Sequence, residues 1–251
     1  VRTARWIAPL VGIGVVLVIW ELVVELFDVR PFILQAPSDI VAYLRRAPGD
    51  FAAATLITAR HSLVGLVIAL AVALLFGAVL AASPFLERAA QPVLSLIQVT
   101  PFAAYIPAVV LWLGAGDPPV YFIGALVCLP AFTFATIAGL RSADPASREL
   151  FASVAASRVQ VLWRLRLPSA LPALLTAARY NTGLALIVAY LVEGSNFADE
   201  GLGAIGRRAA ANNVGDALWA TIFCMALLGS GALLAIGLLE RWLLHWHASQ
   251  R

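Results

Sequence analysis

The stretch "ELFASVAASRVQVLWRLRLPSALP", Glu149 to Pro172, carries Arg158, Arg164 and Arg166, follows Arg148, and holds two prolines, Pro168 and Pro172. It lies between two long apolar segments and is like neither. On a helix from Glu149 to Leu165, Leu150, Val154, Val161 and Leu165 fall near one face, with Phe151 and Leu162 alongside. Glu149, Ser153, Gln160 and Arg164 fall on the other side, so the segment reads as an amphipathic helix. Pro168 is expected to end it, since a proline cannot extend the hydrogen-bond ladder and disfavours helical backbone just before it. Pro172 then suits the first turn of the next apolar segment. Such a helix can lie on anionic headgroups, or it can dock its apolar and basic groups in a groove on a soluble partner. Periodicity does not separate the two.

What surrounds the stretch decides the solvent. The chain has 251 residues, 62% hydrophobic and 12% charged, more apolar surface than a soluble domain of this size can bury. Runs of about 20 apolar residues can cross a bilayer as helices, and they recur at 7–26, 62–82, 93–113, 120–140, 173–192 and 218–239. Alternating strand patterns are missing, so the expected fold is an all-α membrane protein, a six-transmembrane-helix bundle in one domain over 1–251. The first run exceeds a signal-peptide core, and Glu21 and Glu25 stand where a small-residue cleavage site would be, so it reads as an uncleaved span. Cys128 and Cys224 lie inside spans, which points to neither a disulfide framework nor a metal site.

Arginine placement orients the bundle, because cytoplasmic loops retain positive charge. With the N-terminus inside, the inner pieces hold Arg2, Arg5, Arg88, Arg141, Arg148, Arg158, Arg164, Arg166, Arg241 and Arg251. The outer pieces hold Arg30, Arg45, Arg46, Arg207 and Arg208 among many acids. Both termini and the 141–172 loop are therefore expected in the cytoplasm. Trp6, Trp20, Trp112, Trp219, Trp242 and Trp246 mark span ends, the usual headgroup belt. Outer loop 28–61 contains "APSDIVAYLRRA", with Ser38 expected as a helix N-cap, and outer loop 194–217 is polar and glycine-punctuated.

No lysine occurs anywhere, which removes a Walker A phosphate loop and lysine Schiff-base chemistry. Any ATP-driven step must belong to another chain. The basic balance reflects arginine-rich loops and does not call for nucleic acid. Charged or polar groups at membrane depth are costly and mark function, which singles out Arg179, Asn181 and Glu193 as candidates for a translocation path. Pro101 and Pro107 join them because they break a span's hydrogen bonding. Each has a plainer reading: headgroup contact for Arg179, an interfacial cap for Glu193, helix packing for the prolines. His245 and His247 are two apart and point to nearly opposite sides of a helix, so they cannot clamp one metal. His61 beside Arg60 reads as interfacial, and Gly229, Ser230 and Gly231 permit close helix approach.

The opening stretch resembles the EAA loop of permease subunits from binding-protein-dependent ABC importers: E-A-A, three residues, G, nine residues, I-x-L-P. Set on Leu167 and Pro168, that pattern places Glu149 on its Glu, Ala155 on its Gly and Leu165 on its Ile, with Leu150 and Phe151 in place of the alanines. "TPFAAYIPAVVLWLGAGDPP" is similar to the family's third-span signature through Pro101, Ala104, Pro107, Trp112, Gly114 and Gly116. "DEGLGAIG", Asp199 to Gly206, resembles its Gly-Leu-Gly segment, and together with "QAPSDIVAYL" these point to the subgroup importing nitrate, sulfonates, taurine or vitamin-type compounds.

The resemblance implies a type I importer permease in the bacterial inner membrane with a cytoplasmic coupling helix. Its implied partners are ABC ATPase subunits that bind the ATP, a periplasmic or lipoprotein substrate-binding protein, membrane lipid, and a second permease copy. This chain would then be no enzyme and hold no cofactor of its own. The implied ATPase-coupling residues are Glu149, Phe151, Ala155, Arg158, Leu162, Arg164, Leu165, Leu167 and Pro168. The competing expectation, a secondary transporter or channel without an ATPase, predicts inverted repeats and midplane charges, and the sequence has no visible repeat. An intramembrane enzyme would need paired catalytic groups at one depth.

Overall fold

The structure, a computed structural model, describes residues 4–31 and 33–245. Arg2, Trp246, His247, Arg251 and the side chains of Arg5 and Trp6 lie outside the described residues, and with them those parts of the charge, aromatic-belt and histidine expectations. The described chain is all-helical: α1 (Ala4–Leu26), α2 (Pro37–Arg46), α3 (Pro48–Ala82), α4 (Pro84–Val99), α5 (Tyr105–Leu113) and α6 (Asp117–Arg141) form its first part. There follow α7 (Pro145–Ser153), α8 (Arg158–Val161), α9 (Leu167–Glu193), α10 (Leu202–Ala211) and α11 (Gly215–Leu243). Pro37, Pro48, Pro84 and Pro145 each stand in the first turn of a helix, where the missing N–H costs nothing and the fixed φ suits entry.

Among the described residues four helical runs are long and apolar enough to cross a membrane: Pro48–Ala82, Asp117–Arg141, Arg158–Glu193 and Gly215–Leu243. A fifth arises if α4 and α5 are taken as one broken span. α1 is a helix of 23 residues at the place of the first expected span. α3, α6 and α9 pack side by side as the centre of the bundle. Lipid supplies no hydrophobic drive between such helices, so close backbone approach does the work. A Cβ on Gly65 would come within 3.3 Å of the Gly124 Cα, and one on Gly139 within 2.8 Å of the Ala170 Cα. Ala69, Ala73, Cys128, Phe132 and Ala185 fill the seam between these contacts.

The structure departs from the sequence expectations in four places. The third expected span, 93–113, is two helices meeting at 85°. Thr100 is extended, as residues before proline prefer, and Pro101 has no N–H to offer the helix behind it. α4 starts beside the α6 C-terminus, where Glu87 pairs with Arg141 at 2.7 Å, and α5 leads into the α6 N-terminus, so the pair runs from one end of the bundle to the other. The expected helix 149–165 is interrupted: α7 stops at Ser153 and α8 begins at Arg158.

Pro168 ends nothing and Pro172, expected in a first turn, lies inside α9, because α8, a π-helical turn over Leu162–Arg166 and α9 form one continuous run. The wide turn closes with Leu167 N–H donating to the Leu162 carbonyl, five residues back, and so makes room for a residue that has no N–H and a bulky ring. Lastly, α2 takes Ala36 as its N-cap, two residues earlier than the expected Ser38, because Pro37 already fits the first helical position. Ser38 instead donates from its N–H (3.0 Å) and hydroxyl (2.5 Å) to the Glu21 carboxylate, which caps α2 from α1.

Candidate functional site

The α6–α9 connection is a built turn. Asp144 caps α7, its carboxylate accepting from the Ser147 N–H and hydroxyl at 3.0 Å each. Those hydrogen bonds, chiefly the one from the Ser147 N–H, hold the Asp144 carboxyl below its usual range. At its other end α7 stops in a Schellman motif: Ala156 N–H donates to the Phe151 carbonyl and Ala155 N–H to the Ala152 carbonyl, 3.0 Å each. Ala155 takes the left-handed position of that motif, φ +48°. Two residues on, Ser157 and Gln160 form a reciprocal capping box that starts α8. The stop and the restart break the connection into two capped helices at the end of the bundle.

That end is tied down by Arg141, which donates to Glu87 at 2.7 Å and to the Ala81 carbonyl at 3.2 Å, and by Ser142, which donates to the Ser169 carbonyl at 3.1 Å. Arg148 donates to the Arg141 carbonyl. Of the residues expected to couple, Glu149, Ala155, Arg158 and Arg164 are exposed, and Phe151 is half-buried. Leu165 is buried, while Leu162 and Leu167 pack on the chain's own cluster of Leu140, Ala170 and Leu174. Pro168 is half-buried. Two apolar groups missing from that expectation stand outward instead: Leu150 is 63% and Val154 67% exposed. The sequence placed both on one helical face; the break after Ser153 is what turns them away from the bundle.

The opposite end holds a polar knot. Glu193 is fully buried at the end of α9. Its carboxylate accepts from the Thr58 hydroxyl at 2.8 Å and the Gly203 N–H at 3.1 Å, and it lies 2.7 Å from His61 Nδ1. His61 Nε2 lies 3.1 Å from Asp117, which also receives Arg60 at 2.5 Å and the Tyr121 hydroxyl at 3.1 Å. The Thr58 hydroxyl in turn accepts from the Leu202 N–H at 2.9 Å. Thus α3, α6, α9 and α10 are pinned together by side chains up to 135 residues apart. A neutral imidazole has one N–H, so serving both carboxylates takes one further proton on the ring or a carboxyl.

The glycines of "DEGLGAIG" explain why α10 can lie there. Gly201 has φ +93°, and a Cβ on it would stand 2.3 Å from Glu193 Oε2. One on Gly203 would stand 2.0 Å from the Tyr190 carbonyl oxygen. The sequence marked Glu193 as a costly charge. Thr58, His61, Asp117 and the Gly203 N–H carried no such mark as its partners, since nothing local links them.

The remaining path candidates are scattered. Asn181 is fully buried between α6 and α9, donating to the Cys128 carbonyl at 3.3 Å. Arg179 is turned to α11 and pairs with Glu240 at 3.2 Å. Pro101 and Pro107 are exposed at and beyond the α4–α5 break.

Comparisons with known proteins agree with this geometry. Residues 65–245 match the family described as binding-protein-dependent transport system inner membrane component. The chain is 32% identical to the formylaminopyrimidine transport permease protein ThiX of Halalkalibacterium halodurans, over 99% of each chain. It is 30% identical to the taurine transport system permease protein TauC of Escherichia coli, over 98% of this chain and 94% of that one. In three dimensions it is similar to a chain of the MetNI methionine ABC transporter solved in inward-facing conformations, with a TM-score of 0.68 at 17% identity. That match covers 77% of this chain and 96% of the other, and it shows a shared fold.

Proposed function

The chain belongs to the family of binding-protein-dependent transport system inner membrane components, and from that membership we propose how it works. It is a multi-pass permease subunit of an ABC importer for small solutes and not the ATPase itself; the family implies an ATPase and a binding protein as partners. We read 1–251 as one permease unit with six spans, α1, α3, the α4–α5 pair, α6, α9 and α11. Both termini and the α7–α8 turn face the cytoplasm, following the arginine bias.

In this reading the α7–α8 turn seats in the ATPase, which binds the ATP. Exposed Leu150 and Val154 and half-buried Phe151 offer apolar contact, and Glu149, Arg158 and Arg164 offer charge. Ala155 shapes the turn. Leu162, Leu165, Leu167 and Pro168 join it to the bundle, so that a movement of the turn reaches α9 as a rigid lever. A second copy of the chain completes the path, and a binding protein delivers the solute to the α10 end. The names of relatives that transport formylaminopyrimidine or taurine support a small organic solute. Of the path candidates, Glu193 and Asn181 act by holding α9 in place, Arg179 by joining it to α11, and Pro101 and Pro107 by breaking the third span.

The observation that carries the reading is the capped turn itself, since a break with exposed apolar and basic side chains at the end of a membrane bundle suits a protein partner. The test is the purified complex in liposomes with its ATPase. Arg158→Glu combined with Phe151→Ala should uncouple hydrolysis from uptake while the permease stays folded. Unchanged coupled uptake would overturn it, as would cross-linking of a cysteine at Leu150 to lipid alone.

A further inference from the structure

Halfway along the bundle, beside the α4–α5 break, a groove of about 310 Å³ is lined by Gln98, Thr100, Phe102, Val127, Tyr180 and neighbouring apolar groups. Tyr180 is the midpoint of α9 (Leu167–Glu193), and Val127 lies near the middle of α6, so the groove is at mid-depth of the spans. Three observations there do not suit lipid. The break takes from the Ile97 carbonyl its usual helical donor, because the residue four on is Pro101, which has no N–H, and the Thr100 N–H goes to the Leu96 carbonyl instead. Tyr180 is 67% exposed, Gln98 is exposed, and neither side chain has a hydrogen-bond partner among the described residues. Irregular backbone at membrane depth is tolerated where it faces protein or a water-filled cavity, not hydrocarbon.

The lining chemistry narrows what can stand there. It offers the Ile97 carbonyl, the Gln98 amide and the Tyr180 hydroxyl, together with the aromatic side chains of Phe102 and Tyr180. No side chain lining it is charged. The neighbouring cation, Arg179, points away and is taken by Glu240 at 3.2 Å. An anion at this depth would have no counter-charge, an expensive arrangement. A flat, uncharged ring with hydrogen-bonding edges can stack on the aromatic side chains and pair with the Gln98 amide, the Tyr180 hydroxyl and the Ile97 carbonyl.

We propose that this groove is the midway station of the translocation path, and that it takes an uncharged, planar, hydrogen-bonding ring of the aminopyrimidine kind and not a sulfonate. The proposal rests on the importer reading above and names the solute class of that path.

The experiment uses the assembled importer in liposomes, in a Cys128→Ala, Cys224→Ala background, with single Gln98→Cys, Thr100→Cys or Tyr180→Cys substitutions. Three methanethiosulfonate reagents are compared, one uncharged (hydroxyethyl), one a sulfonate and one a quaternary ammonium, each normalised to its rate with a free thiol. All three positions should react with the uncharged reagent, and the sulfonate should be slower by about tenfold or more, as expected for a charge without a partner in a poorly solvated site. Leu75→Cys, 75% exposed on the lipid side of α3, should stay unreactive to all three. 4-Aminopyrimidine should slow labelling at Gln98→Cys, and taurine should not.

No labelling at any of the three positions, or labelling by the sulfonate as fast as by the uncharged reagent, overturns the proposal. Three sites guard against one variant failing to fold. Co-purification of the ATPase with the same preparation reads the importer assignment separately, so the two can fail independently.

Discussion

Glu193 and His61, 132 residues apart in sequence on α9 and α3, meet with 2.7 Å between carboxyl oxygen and ring nitrogen. The contact joins the last residue of α9 to α3 while the same carboxylate holds the first turn of α10. It therefore fixes where the outermost glycine loop, 194–201, can lie. A carboxyl at 0% exposure is kept only when its oxygens are hydrogen-bonded, and here Thr58, His61 and Gly203 do so.

Removing that carboxylate should be among the most damaging single changes in the chain. Glu193→Ala leaves the buried Gly203 N–H without its acceptor and the Thr58 hydroxyl with the Ala54 carbonyl alone, and a loss of about 3–5 kcal/mol is expected for breaking the buried pair with His61. Glu193→Gln keeps an acceptor oxygen and should cost less, about 1–3 kcal/mol. Thermal unfolding in detergent, followed by tryptophan fluorescence, should rank them parent, Gln, Ala. An Ala variant as stable as the parent would show that the knot carries no stability.

Glycines in similar sequence settings should behave oppositely. Gly203→Ala puts a methyl 2.0 Å from the Tyr190 carbonyl oxygen, a backbone atom that cannot step aside without moving α9. Overpacking of that kind costs about 1–3 kcal/mol. At Gly183, inside α9, an added methyl would meet nothing within 4 Å, so Gly183→Ala should stabilise by about 0.5–1 kcal/mol through helix propensity. Parallel melting curves of the two variants decide it; equal shifts would rule out the close-approach explanation.

Asp144 gives a pH signature at the other end of the molecule. Its carboxyl is held below the usual range by its capping hydrogen bonds, so the capping contribution is present above the ordinary carboxylate range and fades as pH falls through the lowered value. Hydrogen exchange at the Ser147 amide should thus show a cap that is steady through neutral pH and weakens only in acid. Asp144→Asn should keep the protection in acid, and Asp144→Ala should lose it at every pH.

The helical class and most of the spans were legible because lipid leaves a one-dimensional record: a run of apolar residues long enough to cross. The exceptions share a cause. Thr100–Pro101 breaks a span whose apolar character runs on regardless, so hydropathy cannot register it. Pro168 sits inside a continuous run because a π turn widens the ladder ahead of it, a backbone adjustment with no compositional trace. Glu193 stood out as a charge in an apolar segment, whereas His61, Thr58 and Asp117 became its surroundings only through the packing of α3, α6 and α9. The glycines at 201 and 203 were visible as a motif, but their reason, the nearness of Glu193 and Tyr190, exists only in three dimensions.

Ala155 carries the sharpest remaining expectation. The importer pattern laid on Glu149 and Pro168 asks for glycine at this position, and the chain supplies alanine. The backbone nevertheless adopts φ +48°, as the left-handed residue of the Schellman stop after α7. An L-residue with a Cβ is strained there by about 1–2 kcal/mol, while glycine gives back part of that gain through its freer unfolded chain. Ala155→Gly should therefore tighten the turn by about 0.5–1 kcal/mol, seen as slower exchange of the Ala155 and Ala156 amides, whose hydrogen bonds close the motif. Ala155→Val should speed it, since a β-branched side chain tolerates this conformation least. If the glycine variant exchanged faster than the parent, the left-handed turn would not be the conformation that α7 ends in.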